Sequence, residues 1–112
     1  MGLAVSKKDD ITILALDGKI MGGPEAGEIN DKIHLLMDNE EKKLIIDLEK
    51  VEWMNSSGLG ILIGAITTLR NNDGELCLIH VSERVKNLFR ITKLSEAFNV
   101  FDDLDSALQA LR

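Results

Sequence analysis

The sequence predicts one α/β domain spanning residues 1–112, in which a mixed, largely parallel sheet of four or five strands packs against about four helices. Two observations lead to this fold class. Short runs rich in Ile, Leu and Val alternate with longer segments whose apolar residues recur at intervals of three and four. One short run, Leu44–Leu48, is almost continuously apolar, as expected for a central strand buried on both faces. The resulting element order is ββαβαβαβα.

The chain begins with a predicted β-hairpin, formed by Leu3–Val5 and Ile11–Leu16 around the charged, turn-like stretch Ser6–Asp10. A Gly-Gly-Pro sequence then breaks the chain, and Pro24 suits the first turn of a helix, where its missing N–H costs little. The helix before the central strand has a predicted buried face with helical spacing: Ala26, Ile29, Ile33, Leu36 and Met37.

The segment from Ser57 to Leu69 follows the central strand and contains no charged residue. Its length and the spacing of its apolar residues favour a helix over a strand. The residues with this spacing are Leu59, Leu62, Ile63 and Ile66. Because the apolar positions extend beyond one stripe, we expect some apolar surface to stay exposed near the start of this helix.

The last third of the chain contains two more strands and two more helices. Asn71–Gly74 is a strong turn signal and precedes a strand over Leu76–Val81, after which Ser82 can cap a helix. Its predicted inner face is Val85, Leu88 and Phe89. A short strand near Phe98–Phe101 leads to a final helix, which begins after Asp102 and Asp103. The acids at its start are favoured by the helix dipole.

Net charge, cysteine content and the length of apolar runs limit which partners and which cellular compartment we expect for this protein. The net charge of −6 argues against nucleic acid and anionic membranes as partners. The single cysteine, Cys77, lies in an apolar run and is interpreted as an inert buried thiol, which indicates a cytoplasmic protein. The N-terminus lacks the apolar segment of a signal peptide, and no apolar run is long enough to span a membrane. We therefore expect no direct membrane insertion.

No residue pattern predicts catalysis, a cofactor or a metal site. Gly58–Gly64 fails as a dinucleotide fingerprint because its third glycine comes one residue late, and because Glu49–Ser57 looks too long for a tight strand-to-helix turn. His34 is predicted on a helix surface and His80 at a strand end, and neither has an evident carboxylate partner. The two isolated histidines and the single cysteine also lack metal-ligand spacing.

The most informative segment lies between the central strand and the uncharged helix, at the carboxyl edge of the sheet, where open α/β folds place their sites. Asn55, Ser56 and Ser57 are all residues that cap helices well. Gly58 and Gly60 each cost a helix about 1 kcal/mol relative to alanine, so they need another explanation. Tight packing on the sheet and close approach of another molecule to the helix N-terminus remain equal alternatives here.

The segment Met54–Gly60, with the sequence MNSSGLG, resembles the signature loop of the STAS domain, the module of bacterial anti-sigma factor antagonists and sulfate-transporter tails. The resemblance extends to Leu44–Leu48, to the turn Asn72–Glu75, and to Val85–Thr92 with Leu94. It thus covers nearly the whole chain. It implies a stand-alone antagonist that binds a switch protein kinase, itself an anti-sigma factor, in bacteria.

The resemblance also implies a role for the first serine of the pair, Ser56. In that family this serine is phosphorylated by the kinase, which releases the antagonist, and dephosphorylated by a partner serine phosphatase. Asn55 stands where the family usually has an aspartate, so the charge next to the serine is missing. The predicted partner-binding residues surround Ser56: Met54, Asn55, Ser57, Gly58, Leu59, Gly60, Ile61 and Leu62.

Two alternative functions compete with the phosphorylation switch. The chain could be a STAS subunit of a membrane lipid or anion transport complex, bound through the same apolar helix without phosphorylation. It could also be a nucleotide-binding STAS module that uses the N–H groups after Ser56. In each case we expect a monomer or weak dimer.

Overall fold

The computed structural model describes residues 2–93 and 98–112, apart from the side chains of residues 24–26, and its element order ββαβαβαβα confirms the predicted fold class. The described strands are β1 (Gly2–Lys8), β2 (Ile11–Ile20), β3 (Lys43–Met54), β4 (Glu75–Ile79) and β5 (Asn99–Phe101). The described helices are α1 (Pro24–Asp38), α2 (Ser56–Asn71), α3 (Glu83–Ile91) and α4 (Leu104–Leu111).

The strands form one mixed sheet in the spatial order β1-β2-β3-β4-β5. β1 pairs antiparallel with β2, whereas β3 pairs in parallel with both β2 and β4, and β5 is parallel to β4. The hairpin turn is shorter than predicted, because Ser6 pairs with Ile13 and Lys8 with Ile11. Only Asp9 and Asp10 remain for the turn, and Asp9 takes a left-handed conformation with φ 58°.

Two apolar cores flank the sheet. Alternate residues of β3 enter opposite cores, because successive side chains of a strand point to opposite faces. Leu44 and Ile46 face α1, α2 and α3, whereas Ile45 lies in the smaller core beneath α4. The predicted central strand is therefore buried on both faces, as expected. In α1 the predicted inner residues Ile29, Ile33 and Leu36 are buried and Met37 is partly buried, while the side chain of Ala26 lies outside the description.

β3 is much longer than the predicted central strand. It continues through residues 49–54 and stays paired with β2 as far as the pair Ile20 and Met54. Two register shifts between these strands give β3 extra residues, so Val51 and Met54 are both buried although they are three apart. The extra residues interrupt the period of two by which a strand is recognised in a sequence.

The ends of the last two helices agree with the sequence predictions. The Ser82 hydroxyl accepts a hydrogen bond from the Val85 N–H at 3.2 Å, and the Asp103 carboxylate accepts one from Ser106 N–H at 2.8 Å. β4 ends at Ile79, two residues before the predicted end. Leu94, part of the family resemblance, lies outside the described residues. Within residues 2–93 and 98–112, no helix has the length and apolar character needed to cross a membrane.

Candidate functional site

A single residue, Asn55, connects β3 to α2. Its N–H donates to the carbonyl oxygen of Ile20 at 3.3 Å, which ties it to the end of β2. Its side-chain oxygen accepts from the Gly58 N–H at 2.8 Å, and its carbonyl accepts from the Leu59 N–H at 2.9 Å. Asn55 is thus the N-cap of α2, and it fixes the start of the helix to the sheet.

The serine pair occupies the first two positions of α2, and both residues are exposed. Asn55 accepts the cap hydrogen bond that the Gly58 N–H donates, so Ser56 does not serve as the N-cap. No acidic residue lies in the first turn of α2. The exposed Ser56 hydroxyl therefore stands at the positive end of a helix dipole without a carboxylate in that turn.

Packing explains Gly58. A Cβ at this position would stand 2.0 Å from the carbonyl oxygen of Ile20 and 2.8 Å from its carbonyl carbon. The neighbouring Gly22 has φ +95°, and a Cβ there would stand 2.9 Å from the Cβ of Ser57. The end of β2 and the turn after it thus press directly on the first turn of α2. Of the two explanations that the sequence left open, tight packing applies to Gly58.

Gly60 has a different environment, because a Cβ built on it meets no atom of the described residues within 4 Å. The same is true of Gly64 on α2 and Gly27 on α1. These glycines border a groove of about 430 Å³ between the two helices, which Ser57 and Ile61 also line. The part of the chain that the structure describes therefore gives no packing reason for glycine at residue 60.

The predicted partner-binding residues divide into two groups. Met54, Gly58, Leu59 and Leu62 are buried in the protein's own structure, so they hold the segment in place and offer no surface to a partner. The accessible group consists of the half-buried Asn55 and Ile61 together with the exposed Ser57 and Gly60. The apolar surface expected near Ser56 is thus limited on α2 to Ile61 and its partly buried neighbour Ile63.

The structure corrects one reason for rejecting a dinucleotide site. The sequence suggested a long loop over Glu49–Ser57, but β3 runs to Met54 and the connection is tight. The late third glycine still departs from the fingerprint, and the face of Gly58 is occupied by the backbone of Ile20. The rejection therefore stands on glycine spacing and packing alone.

The prediction that His80 lacks a carboxylate partner is wrong. Its Nδ1 lies 2.9 Å from Oδ1 of Asp47 and 3.6 Å from Oε2 of Glu49. These residues are far apart in sequence, but β3 and β4 are neighbours, and Asp47 is in register with Ile79, immediately before His80. The sequence did contain a signal for this contact: Asp47 and Glu49 are spaced i and i+2 on one strand, and His80 follows the end of the neighbouring strand.

The other two residues considered for chemistry behave as predicted. His34 is exposed on α1. Cys77 is buried, and burial, followed by the charge of Glu75, raises the pKa of its thiol to about 11. A thiol with this pKa carries almost no thiolate at neutral pH, so it is a poor nucleophile.

Comparisons with known proteins agree with this architecture. The STAS domain profile matches residues 3–107. The chain is 33% identical over 73 residues to the anti-sigma-B factor antagonist of Staphylococcus aureus strain NCTC 8325, covering 65% of this chain and 68% of that protein. It is 36% identical over 75 residues to the protein of the same description in Listeria monocytogenes, covering 67% of this chain and 66% of the other.

Solved structures share the whole fold. An anti-sigma factor antagonist from Mycobacterium paratuberculosis superposes with a TM-score of 0.84 at 25% identity, covering 99% of this chain and 93% of that one. The Bacillus cell fate determinant SpoIIAA in its phosphorylated form gives a TM-score of 0.76 at 19% identity, covering 99% and 100%. Together with the profile match, which spans almost every element described above, these relationships confirm the resemblance of the loop sequence. The chain belongs to the STAS domain family.

Proposed function

We propose that this chain is an anti-sigma factor antagonist whose unphosphorylated form binds a switch kinase that is also the anti-sigma factor, and whose phosphorylation at Ser56 releases it. The curated relatives described as anti-sigma-B factor antagonists support the class of partner. The observation that carries the proposal for Ser56 is its placement: it is exposed at the first position of α2, directly after the capping residue.

The fold is suited to a phosphate at Ser56. The hydrogen bond that caps α2 belongs to Asn55, so modification of the Ser56 hydroxyl leaves that bond in place. A phosphoserine adds close to two negative charges, which the positive end of a helix stabilises. With asparagine at residue 55 and no acid in the first turn, this phosphate meets less repulsion than it would beside an aspartate.

The same phosphate would disrupt a complex. A partner that covers Ser56 removes water from it, and an unpaired dianion in a desolvated contact is strongly unfavourable. Weakening binding a thousandfold requires about 4 kcal/mol. The desolvation of a phosphate readily exceeds this value. Phosphorylation can therefore dissociate the complex while the domain stays folded.

The groove between α1 and α2 supplies a surface next to the serine pair. Ser57 and Ile61 line it, and the open glycines Gly27, Gly60 and Gly64 let an approaching chain come close to the helix backbones. Glycine at residue 60 costs the helix about 1 kcal/mol relative to alanine, and the described residues give no packing reason for it, which supports an intermolecular reason. We assign this groove and Ser56 to the surface that the kinase and the partner serine phosphatase recognise.

The decisive experiment is phosphorylation of the purified chain. Each anti-sigma factor kinase encoded in the source genome is mixed with the chain and ATP, and the intact mass is measured. We expect the gain of one phosphoryl group, its loss in Ser56→Ala, and its retention in the matched control Ser57→Ala. Phosphate mapped to Ser57, or no phosphorylation by any of these kinases, would exclude the switch at Ser56 and favour a STAS subunit that binds without phosphorylation.

A further inference from the structure

We propose that Asp47, Glu49 and His80 form a binding site for a divalent transition-metal ion of the Zn²⁺ class. The three side chains offer two carboxylate oxygens and an imidazole nitrogen, and these ligand atoms all lie within 4.8 Å of one another. The site is separate from Ser56 and from the α1–α2 groove, so it does not depend on the proposed switch.

The three donors converge because of strand register. Asp47 and Glu49 lie two residues apart on β3, at the register shift between Asp47 and Lys50, and a carboxylate oxygen of each lies near Nδ1 of His80. Asp47 is the register partner of Ile79 on β4, and His80 follows directly. On the same face, Ile45 and Ile79 pack beneath α4. The donors therefore lie where this face of the sheet changes from the apolar core under α4 to polar side chains.

The distances already approach those of a coordination shell. Zn²⁺ binds nitrogen and oxygen ligands at about 2.0–2.2 Å, which sets neighbouring ligand atoms about 2.8–3.6 Å apart in tetrahedral or octahedral geometry. The imidazole Nδ1 of His80 lies 2.9 Å from Asp47 Oδ1 and 3.6 Å from Glu49 Oε2. The side chain of Glu49 is 67% exposed, so it can adjust to complete the three-ligand face.

The chemistry of the donor set selects the class of ion. Imidazole nitrogen favours Zn²⁺ and related transition metals, whereas Mg²⁺ and Ca²⁺ prefer oxygen ligands alone. Two carboxylates balance the charge of a divalent ion when the imidazole is neutral.

The surroundings allow an ion to enter and to keep water ligands. The side chains of His80 and Asp47 are 32% and 22% exposed, so solvent reaches them. A cavity of about 300 Å³, which Asp47, Glu49 and Lys50 help to line, adjoins the site. The backbone N–H of Glu49 donates to Asp47 Oδ1 at 3.0 Å, an interaction that orients the carboxylate as outer-shell hydrogen bonds do in metal sites.

A metal-free hydrogen bond between His80 and Asp47 is the competing interpretation of the same contact. In that case Nδ1 keeps the proton that it donates to Oδ1 and binds no ion. Metal binding requires the other tautomer, with the ring proton on Nε2, so that the lone pair of Nδ1 is available to the ion. The two interpretations therefore differ in what added Zn²⁺ does to this ring.

The first test is isothermal titration of the full chain, without a histidine tag, with ZnCl₂ and separately with MgCl₂. We expect one Zn²⁺ per chain and at least tenfold weaker Mg²⁺ binding. Asp47→Asn and Glu49→Gln should each weaken Zn²⁺ binding at least tenfold. The matched control His34→Gln, which removes the exposed histidine of α1, should leave the affinity unchanged.

The second test observes the imidazole nitrogens of His80 and His34 directly by ¹H–¹⁵N NMR. Zn²⁺ should shift Nδ1 of His80 and leave His34 unaffected, and the backbone spectrum of each variant reports whether it is folded. The proposal is overturned if Zn²⁺ produces no heat and no shift at His80. It is also overturned if folded Asp47→Asn and Glu49→Gln bind Zn²⁺ as tightly as the unmodified chain.

Discussion

The backbone of Gly58 is in direct contact with the backbone of Ile20, with only 2.0 Å between the Ile20 carbonyl oxygen and the place a Cβ of residue 58 would occupy. Ile20 also accepts the N–H of Asn55 and pairs in register with Met54. The ends of β2 and β3 and the start of α2 therefore meet at one point. The position of Ser56 follows from these contacts.

The two glycines of the loop should respond oppositely to alanine. Gly58→Ala meets backbone atoms that cannot move aside, and we expect a loss of about 1–3 kcal/mol in the free energy of unfolding despite the better helix propensity of alanine. Gly60→Ala enters open space and should raise this free energy by about 0.5–1 kcal/mol. Urea denaturation of both variants checks the pair. Equal effects would contradict the assignment of packing to Gly58 alone.

The stability that the cap at residue 55 contributes should depend on the side-chain oxygen of Asn55 and not on the neutrality of the side chain. Asn55→Ala removes the acceptor for the Gly58 N–H and should lower the free energy of unfolding by about 1 kcal/mol. Asn55→Asp keeps an acceptor at the helix N-terminus and should be at least as stable as the unmodified chain. Denaturation curves at low ionic strength compare the three proteins, and a destabilised Asn55→Asp would show that the cap works differently.

A negative charge at residue 56 should be tolerated by the fold. Because Ser56 is exposed at the first position of α2, Ser56→Asp should raise the free energy of unfolding by about 0.3–1 kcal/mol at low salt, with the gain falling as salt is added. The control is Ser57→Asp, which places the charge one position further along and towards the α1–α2 groove. A clear loss of stability in Ser56→Asp would argue against a phosphate at this position.

Lowering the pH should reduce the stability that the Asp103 cap of α4 contributes. The hydrogen bonds with Ser106, first from its backbone N–H, hold the pKa of Asp103 below its usual value of 3.8. A carboxyl with a lowered folded-state pKa stabilises the protein above its unfolded pKa and loses that contribution as the pH falls through the folded value.

The matched variant for this effect is Asp103→Asn, which retains a capping oxygen but cannot titrate. Urea denaturation at pH 5 and pH 3 should therefore show a smaller loss of stability in Asp103→Asn than in the unmodified chain. Parallel losses in the two proteins would mean that Asp103 has the same pKa when folded and unfolded.

Much of the fold follows from local patterns in the sequence. Three kinds of signal predicted elements that the structure contains: the continuous apolar run of Leu44–Leu48, the helical spacing of Ile29, Ile33 and Leu36, and the helix-start signals, which are the cap Ser82 and the acids before the last helix. These signals depend on residues close together in the chain, which is why they can be recognised without knowledge of the tertiary structure.

The missed features depend on contacts between distant segments. The second half of β3 was not recognised because its extra residues break the alternation and place Glu49, Lys50 and Glu52 among buried neighbours. Glycine is needed at residue 58 because the backbone of Ile20 packs against it, and the carboxylate partners of His80 lie on an adjacent strand. The first and last of these relationships are set by strand register and the Gly58 contact by the packing of α2 on the end of β2, neither of which can be read from neighbouring residues.

The one-residue connection at Asn55 bears on how a modifying enzyme could meet this protein. Ser56 belongs to a helix that starts one residue after β3 and is hydrogen-bonded through Asn55 to the end of β2, so it does not lie in an extended segment that could enter a catalytic cleft. A kinase that phosphorylates Ser56 must therefore recognise the folded surface around it. A short synthetic peptide with the sequence of residues 50–62 should be a poorer substrate than the intact domain.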